Sequence, residues 1–181
     1  MLFAKYLLLV PYIIKNILPI KTEKNITIPY YLGRWNQVAT SRSSALLGTG
    51  VKYKNVTADY DLLNETLLSV YNSGIDDKNN YTSISGYSYT TGNSETKRKL
   101  HFDGVPVDGN YWIVKLGPII NDSYRYAVVS GALTKFFGTR FSLYVLARDS
   151  AEYNAKYEEE VKQWCKDNGF KFFWNRYIRT N

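Results

Sequence analysis

Few residues of this sequence could carry out chemistry. It contains one cysteine, Cys165, and one histidine, His101. A single cysteine excludes a disulfide within the chain, and one cysteine with one histidine excludes a zinc site built from several such ligands. His101 and Asp103 share one face of a predicted strand, where a solvated pair is the ordinary arrangement, and no nucleophile in a recognisable motif accompanies them. We therefore expect no enzyme activity, no metal and no cofactor.

Aromatic residues dominate the composition. The 181 residues include 17 Tyr, 8 Phe and 4 Trp, and 45% of the chain is hydrophobic, which excludes a disordered chain and favours one domain with a sizeable core. Lys and Arg outnumber Asp and Glu by 23 to 16, but the surplus is scattered along the chain. Nucleic-acid-binding proteins concentrate such charge in one stripe, so we expect no nucleic-acid partner.

The first twenty residues have the pattern of a targeting segment. Nine apolar or aromatic residues, Tyr6 to Ile14, are flanked by lysines, as in a signal peptide. Pro11 interrupts the run and no Ala-x-Ala-like cleavage signal follows, so an uncleaved membrane anchor is the alternative. Either form predicts a signal peptide or anchor over residues 1–24, a domain over residues 25–181, and a secreted or membrane-associated protein. Several Asn-x-Ser/Thr triplets agree with a secretory route, although an Asn-rich composition also generates them.

Between residues 30 and 148 the sequence repeats one pattern. Six to twelve residues rich in Tyr, Val, Ile, Thr and Leu are followed by a turn rich in Gly, Asn, Asp or Pro, which is typical of an all-β fold. The turns are short and local, as between antiparallel neighbours joined by hairpins, so the pattern predicts one closed up-and-down barrel of eight strands. The candidate strands cover residues 31–40, 51–62, 66–72, 81–90, 97–103, 110–116, 124–131 and 141–148.

After residue 148 the period of the apolar residues changes to that of a helix. Asp149 with Glu152 forms a capping box and Gly169 is a stop signal, so we predict one amphipathic helix over about residues 150–168, packed outside the barrel. Residues 170–174 then form a short strand or extended segment. The apolar face of the helix comprises Tyr153, Tyr157, Val161, Trp164 and Cys165, which makes the thiol a buried structural one.

Three motifs in this order resemble those of the lipocalins. Residues 33–35 read Gly-Arg-Trp, similar to the Gly-x-Trp of that family, residues 121–123 stand where a Thr-Asp-Tyr motif precedes strand seven, and Arg148 ends strand eight. Residues 109–114 and 143–148 are similar to the branch of bacterial lipocalins, apolipoprotein D and plant temperature-induced lipocalins. The resemblance implies a barrel closed at one end by a tryptophan with an arginine packed across it. Its structural positions here are Gly33, Trp35, Asp122 and Arg148.

Alternation along the strands, anchored on these motifs, predicts which side chains face the interior. Trp35 and Arg148 face inward at the closed end, so alternate residues of strands one and eight are expected to face the cavity. The apolar or aromatic face of strands two and five is expected to point inward in the same way. The resemblance to apolipoprotein D implies that Trp112 and Val114 of strand six face the interior. The expected ligand-binding residues are Trp112, Tyr144, Val114, Leu146, Ala39, Ala58, Tyr60 and Phe102.

A dry, aromatic-walled cup suits a small apolar molecule. The sequence thus predicts a noncatalytic carrier or scavenger of fatty acids, lysophospholipids or other lipids. The alternative is a surface interaction protein whose cavity is filled by its own side chains. The resemblance implies no enzyme either, because prostaglandin synthesis in a lipocalin requires a cysteine inside the barrel, whereas Cys165 belongs to the outer helix. In a long loop over residues 131–140, Phe136 and Phe137 are expected at the open mouth, where they contact a membrane surface or fold back as a lid.

Overall fold

Strands and tight turns alternate along the chain in the predicted order. The computed structural model describes residues 20–41, 44, 53–135, 138–173 and 175–180. The elements are α1 (Ile28–Tyr31), β1 (Gly33–Ser41), β2 (Lys54–Leu62), β3 (Leu67–Ile75), β4 (Tyr81–Thr91), β5 (Ser94–Phe102), β6 (Gly109–Leu116), β7 (Ile119–Ile120), β8 (Ser123–Tyr124), β9 (Tyr126–Lys135), β10 (Gly138–Ala147), α2 (Ser150–Lys156), α3 (Glu158–Asp167) and β11 (Tyr177–Arg179).

Eight of these strands close into one antiparallel barrel. Strands β1 to β6, β9 and β10 each pair with their neighbour in this order, and β10 pairs back onto β1. The closing pair sets Gln37 opposite Leu146 and Thr40 opposite Tyr144. The predicted eight-stranded up-and-down barrel is confirmed.

β-Bulges on β1 and β6 change the inward and outward alternation of these two strands. On β1 the register with β10 shifts between Gln37 and Ala39, and on β6 the register with β9 shifts between Ile113 and Lys115. One extra residue in a strand reverses the faces of all residues beyond it. Ala39, predicted to face the interior, therefore lies opposite Val145 on the outer face of the barrel.

The segment after the barrel forms two short helices rather than one. Asp149 accepts a hydrogen bond from the Glu152 N–H (2.8 Å), as the capping box predicts. At Tyr157 the backbone departs from helical geometry (φ −121°, ψ −18°), which separates α2 from α3. The helix predicted over about residues 150–168 is thus interrupted at Tyr157. The predicted stop signal at Gly169 is present, with a φ of +93°.

The two helices cover the outer face of β1, β9 and β10. Their apolar side chains form a buried cluster with the outward residues of these strands, and burial raises the pKa of the Cys165 thiol to about 12. Cys165 is thus a buried structural residue, as expected. The cluster contains Val38, Ala39, Val114, Tyr126, Val128, Leu143, Val145, Ala147, Tyr153, Val161, Cys165 and Phe170.

The tail forms its strand later than predicted. Strand β11 pairs with β1, with Tyr177 opposite Ser41 and Arg179 opposite Ala39. Strand β2 pairs with β1 only as far as Asn36, and beyond that residue β11 pairs with the same edge of β1. Residues 170–174 were predicted as a short strand or extended segment. Residues 170–173 form turns and a bend instead, and Phe170 is buried in the helix cluster.

The connection between β9 and β10 is shorter than the predicted loop over residues 131–140. Strand β9 continues to Lys135 and β10 begins at Gly138, so most of that segment is a hairpin. Phe136 and Phe137 lie outside the described residues, and their contact with a membrane or a lid position stays a prediction.

Residues upstream of α1 contact the barrel. The Glu23 N–H donates to the Ile113 carbonyl (2.9 Å), and the Glu23 carboxylate accepts from the Leu116 N–H (3.1 Å). Strand β5 pairs with β6 only as far as Trp112, so Glu23 completes the hydrogen bonding of β6 beyond that point. Ile20 packs against the helix cluster. Barrel contacts therefore begin before residue 25, the predicted start of the domain, whereas residues 1–19 lie outside the described ones.

Candidate functional site

The inward faces of the barrel strands form a second cluster, around Trp35. Trp35 lies opposite Ala58 across β1 and β2, and Ile113 lies opposite Val129 across β6 and β9. Directly opposite residues share a face of the sheet, so the register fixes which side chains point inward. The buried members from the barrel strands are Trp35, Ala58, Tyr60, Val70, Tyr111, Ile113, Ala127, Val129 and Leu146, and Leu100, Phe102, Leu116 and Tyr144 pack against them.

Five of the eight expected ligand-binding residues lie in this interior cluster. They are Tyr144, Leu146, Ala58, Tyr60 and Phe102. The other three, Trp112, Val114 and Ala39, belong to the outer cluster beneath the helices.

Strand β6 faces the opposite way from the prediction. Trp112 lies opposite Ser130, which lies opposite Leu143 in the helix cluster. Val114 is the residue at which the register of β6 shifts, and it packs on the same outer side. The predicted inward orientation of Trp112 and Val114 is wrong, because the register of β6 with β9 turns Tyr111 and Ile113 inward instead.

The closed end of the barrel is built by Trp35 and Arg148. The Arg148 guanidinium lies 3.7 Å from the centre of the Trp35 ring and donates to the carbonyls of Arg34 (2.7 Å) and Leu32 (2.7 Å). Burial lowers the pKa of Arg148 to about 10. Gly33, beside Arg148, adopts a φ of +86°, a conformation that residues with a Cβ rarely adopt. This is the structural arrangement expected from the motifs.

The second motif lies on the turn between β7 and β8. Asp122 has a φ of +54° there, and its carboxylate accepts a hydrogen bond from Tyr30, which raises the pKa of that tyrosine. Tyr30 also contacts Tyr124 edge to face, with ring centres 6.4 Å apart. Asp122 thus ties this turn to helix α1 at the closed end.

Three tyrosines form a polar cluster on the floor of the interior. The hydroxyls of Tyr31 and Tyr111 are 2.5 Å apart, and Tyr111 donates to the Tyr60 hydroxyl at 2.9 Å. Burial raises the pKa of all three, that of Tyr60 to about 12. They are therefore neutral at physiological pH. Sequence reasoning missed Tyr31, which precedes the first motif, and Tyr111, which lies on the face of strand six opposite to the one predicted to point inward.

A buried cation lies beside the tyrosines. Arg98 is 2% exposed and lies opposite Tyr111 across β5 and β6. It donates to the Ser88 hydroxyl (2.8 Å) and to the Thr66 carbonyl (2.9 Å), and burial lowers its pKa. On its other side it lines a pocket of about 190 Å³ at the closed end, with Glu65 among the lining residues. Extending the alternation of Leu100 and Phe102 by one step would have predicted Arg98 on the inward face.

Above this floor, inward-facing side chains keep accessible surface. Tyr144 is half-buried on the inward face, and burial raises its pKa. Asn72 and Ile84 face inward because they lie in register with Ala58. The half-buried residues of the inward face are Gln37, Asn72, Ile84, Leu100, Phe102 and Tyr144.

The sole histidine lies on the outside of the barrel. The partner of His101 is Asp108 and not Asp103, because His101 Nδ1 lies 2.8 Å from the Asp108 carboxylate. Tyr89 donates to the Asp108 carboxylate at 2.6 Å. These hydrogen bonds, that of Tyr89 first, lower the pKa of Asp108. Within the described part of the chain, no group of three or more His, Cys, Asp or Glu side chains is placed to hold a metal ion.

The described geometry, a closed antiparallel barrel with an arginine stacked on a tryptophan at one end, matches a known family. Residues 26–175 match the lipocalin-like domain. The chain belongs to this family. Lipocalins are generally binding proteins without enzyme activity, and lipocalin-fold proteins bind small hydrophobic ligands. The likeness to the bacterial lipocalin branch stays a prediction.

Solved lipocalin structures are similar to this chain in fold at low sequence identity. Lobster apocrustacyanin A1 is 15% identical with a TM-score of 0.60, over 91% of this chain and 90% of its own. The siderocalin Ex-FABP, which functions through dual ligand specificities, is 16% identical with a TM-score of 0.56, over 79% of this chain and 89% of its own. The cockroach allergen Per a 4 is 11% identical with a TM-score of 0.58, over 92% and 95%. No curated protein sequence matches the chain.

The helices of the lipocalin-like chain are short. Among its described residues, none forms a helix long and apolar enough to cross a membrane.

Proposed function

We propose that this lipocalin-like protein binds a small hydrophobic ligand inside its barrel and carries or sequesters it without catalysing a reaction. The observation that supports this most is the half-buried wall above a closed floor, because inward side chains that filled the barrel would be fully buried. Burying apolar surface of a ligand there contributes about 25 cal/mol per Å². Fatty acids, lysophospholipids and other single-chain lipids are ligands of suitable chemistry.

A location outside the cytosol agrees with this role. Lipocalins are typically secreted, and the apolar run from Tyr6 to Ile14 has the pattern of a signal peptide or membrane anchor. We therefore propose that the protein is secreted or membrane-associated and meets its ligand there.

The experiment is a displacement titration of a fluorescent fatty-acid probe bound to delipidated protein. We expect a dissociation constant in the micromolar range or tighter, about 8 kcal/mol of binding free energy. Replacing Tyr144 by Ala should weaken binding, since its ring lines the wall. Replacing Trp112 by Ala removes an aromatic ring of the outer cluster and should leave the affinity unchanged. Equal affinity of both variants and the wild type would contradict the proposed site.

A second candidate function is that of a surface interaction protein. It is favoured by four exposed apolar side chains at the closed end of the barrel, namely Leu62 and Leu63 at the end of β2 and Ile119 and Ile120 in β7. Such patches mark contacts with partners when they are contiguous. Absence of saturable ligand binding together with concentration-dependent self-association or partner binding would favour this alternative.

A further inference from the structure

The three floor tyrosines form a hydrogen-bond chain with a direction. Tyr111 donates its one hydroxyl proton to Tyr60 at 2.9 Å. The contact of 2.5 Å with Tyr31 must then use the Tyr31 proton, because a hydroxyl donates only once. The chain runs from Tyr31 through Tyr111 to Tyr60. Among the described residues, the Tyr60 hydroxyl accepts from Tyr111 and donates no hydrogen bond of its own, so the chain ends in an unused donor.

A buried acceptor without a partner lies on the same inward face. The side-chain oxygen of Asn72 is buried and accepts no hydrogen bond from the described residues. Tyr60 lies opposite Val70 and Ala58 lies opposite Asn72, so Tyr60 and Asn72 are diagonal neighbours across β2 and β3. Strand β3 runs from the closed end towards the mouth, which places Asn72 one step above the floor.

The charge of Arg98 acts on this donor chain. Arg98 forms no ion pair within 4 Å in the described part of the chain, and it lies opposite Tyr111. Its charge also acts on Tyr31, the first member of the chain. A positive charge beside the first donors of a hydrogen-bond chain polarises the chain and strengthens its last donor. The same charge disfavours a ligand with an ammonium end. The floor therefore favours a neutral or acceptor group.

We propose that the barrel takes a neutral lipid whose hydroxyl-bearing end enters first and lies at Tyr60 and Asn72, with the apolar part towards the mouth. This inference rests on the proposed function. A hydroxyl accepts from Tyr60 and donates to Asn72, so it satisfies both groups as they stand. A carboxylate has no proton for the Asn72 oxygen and loses more hydration on burial, and a bare hydrocarbon satisfies neither. Long-chain alcohols, monoacylglycerols and sterols belong to the favoured class.

The test compares 1-hexadecanol, its methyl ether and hexadecanoic acid, which share one alkyl chain, by displacement of the fluorescent probe at neutral pH. The ether can accept a hydrogen bond but cannot donate one. We expect the alcohol to bind about three- to tenfold more tightly than the ether, the range of one hydrogen bond, and more tightly than the acid.

Two variants assign this preference to the two groups. Tyr60→Phe should weaken both the alcohol and the ether by a similar factor. Asn72→Leu should weaken the alcohol alone and bring it to the affinity of the ether. Tyr71→Phe removes a hydroxyl from the outer face of β3 and serves as the matched control, which should change nothing. For Asn72→Leu the readout is the ratio of alcohol to ether affinity within the variant, which a general loss of stability does not alter. For Tyr60→Phe the affinity of each ligand is compared with that of the wild type and of Tyr71→Phe.

Each other outcome has a defined meaning. Tighter binding of the acid would show that the charge of Arg98 decides and would overturn the proposal. Equal binding of alcohol and ether to the wild-type protein would remove Asn72 from the site and overturn it as well. Binding of none of the three would contradict the proposed function itself.

Discussion

Glu23 should stabilise the barrel although it precedes the predicted start of the domain. Its carboxylate accepts from the Leu116 N–H (3.1 Å), its N–H donates to the Ile113 carbonyl (2.9 Å) and its carbonyl accepts from the Thr96 hydroxyl (2.8 Å). Glu23→Ala removes only the first of these. A hydrogen bond to a charged group contributes about 1.5–3 kcal/mol, and partial exposure of Glu23 reduces this to about 1–2 kcal/mol.

Truncation tests the whole contact. A form that begins at Asn25 loses all three hydrogen bonds and the packing of Ile20, which we expect to cost about 3–5 kcal/mol in free energy of unfolding. At roughly 2–4 °C per kcal/mol for a chain of this size, the melting temperature should fall by about 6–20 °C. A form that begins at Ile20 keeps every described contact.

The assay is thermal unfolding followed by circular dichroism on both truncated forms, on Glu23→Ala and on Lys24→Ala. Lys24 is exposed, so its replacement is the matched control and should leave the melting temperature within about a degree. Equal melting temperatures for the forms that begin at Ile20 and Asn25 would refute the reasoning, because they would show that Glu23 contributes nothing.

Three further predictions concern the closed end, the outer helices and the tail. Arg148→Met should lower the free energy of unfolding by about 2–4 kcal/mol, whereas Arg34→Met, which breaks an exposed ion pair, should cost under about 1 kcal/mol by urea unfolding. Cys165 should react with a thiol reagent no faster than the protein unfolds, since burial raises its pKa to about 12. Hydrogen bonds from Arg179 and, to a smaller extent, Lys162 hold the pKa of Glu158 below its usual value. The ionised Glu158 therefore stabilises the fold fully above its unfolded-state pKa of about 4.3, and this contribution is lost as the pH falls below that value. Arg179→Met should flatten that part of the curve of melting temperature against pH, and an unchanged curve would contradict this role of the ion pair.

The strand order was predictable from sequence because hydrophobic patterning and turn residues act locally. All eight barrel strands form where they were expected, within a few residues, and the capping box at Asp149 is present. The start of the tail strand was not predictable, because β11 forms only where β2 leaves the edge of β1 beyond Asn36. Such an edge is a property of the closed barrel and has no local signal.

The interior was predictable only up to the first bulge. A period of two from Trp35 holds along β1 until the register shift before Ala39, and no residue type in that segment announces the shift. On β6 the register set by β9 decides which side chains face inward. The polar floor was missed for a different reason: Arg98 continues the face of Leu100, but a charged residue carries no hydrophobic signal for an inward position.

Native mass spectrometry tests the central claim, that the barrel interior holds a hydrophobic ligand, most directly. Delipidated protein that begins at Ile20 is incubated with a long-chain lipid and compared with Leu100→Trp, which fills the interior, and Lys99→Trp, which adds the same ring to the outer face of β5. The account predicts a one-to-one lipid complex for the wild-type protein and Lys99→Trp and its loss in Leu100→Trp. A complex of equal abundance in all three proteins, or none in any, would contradict it.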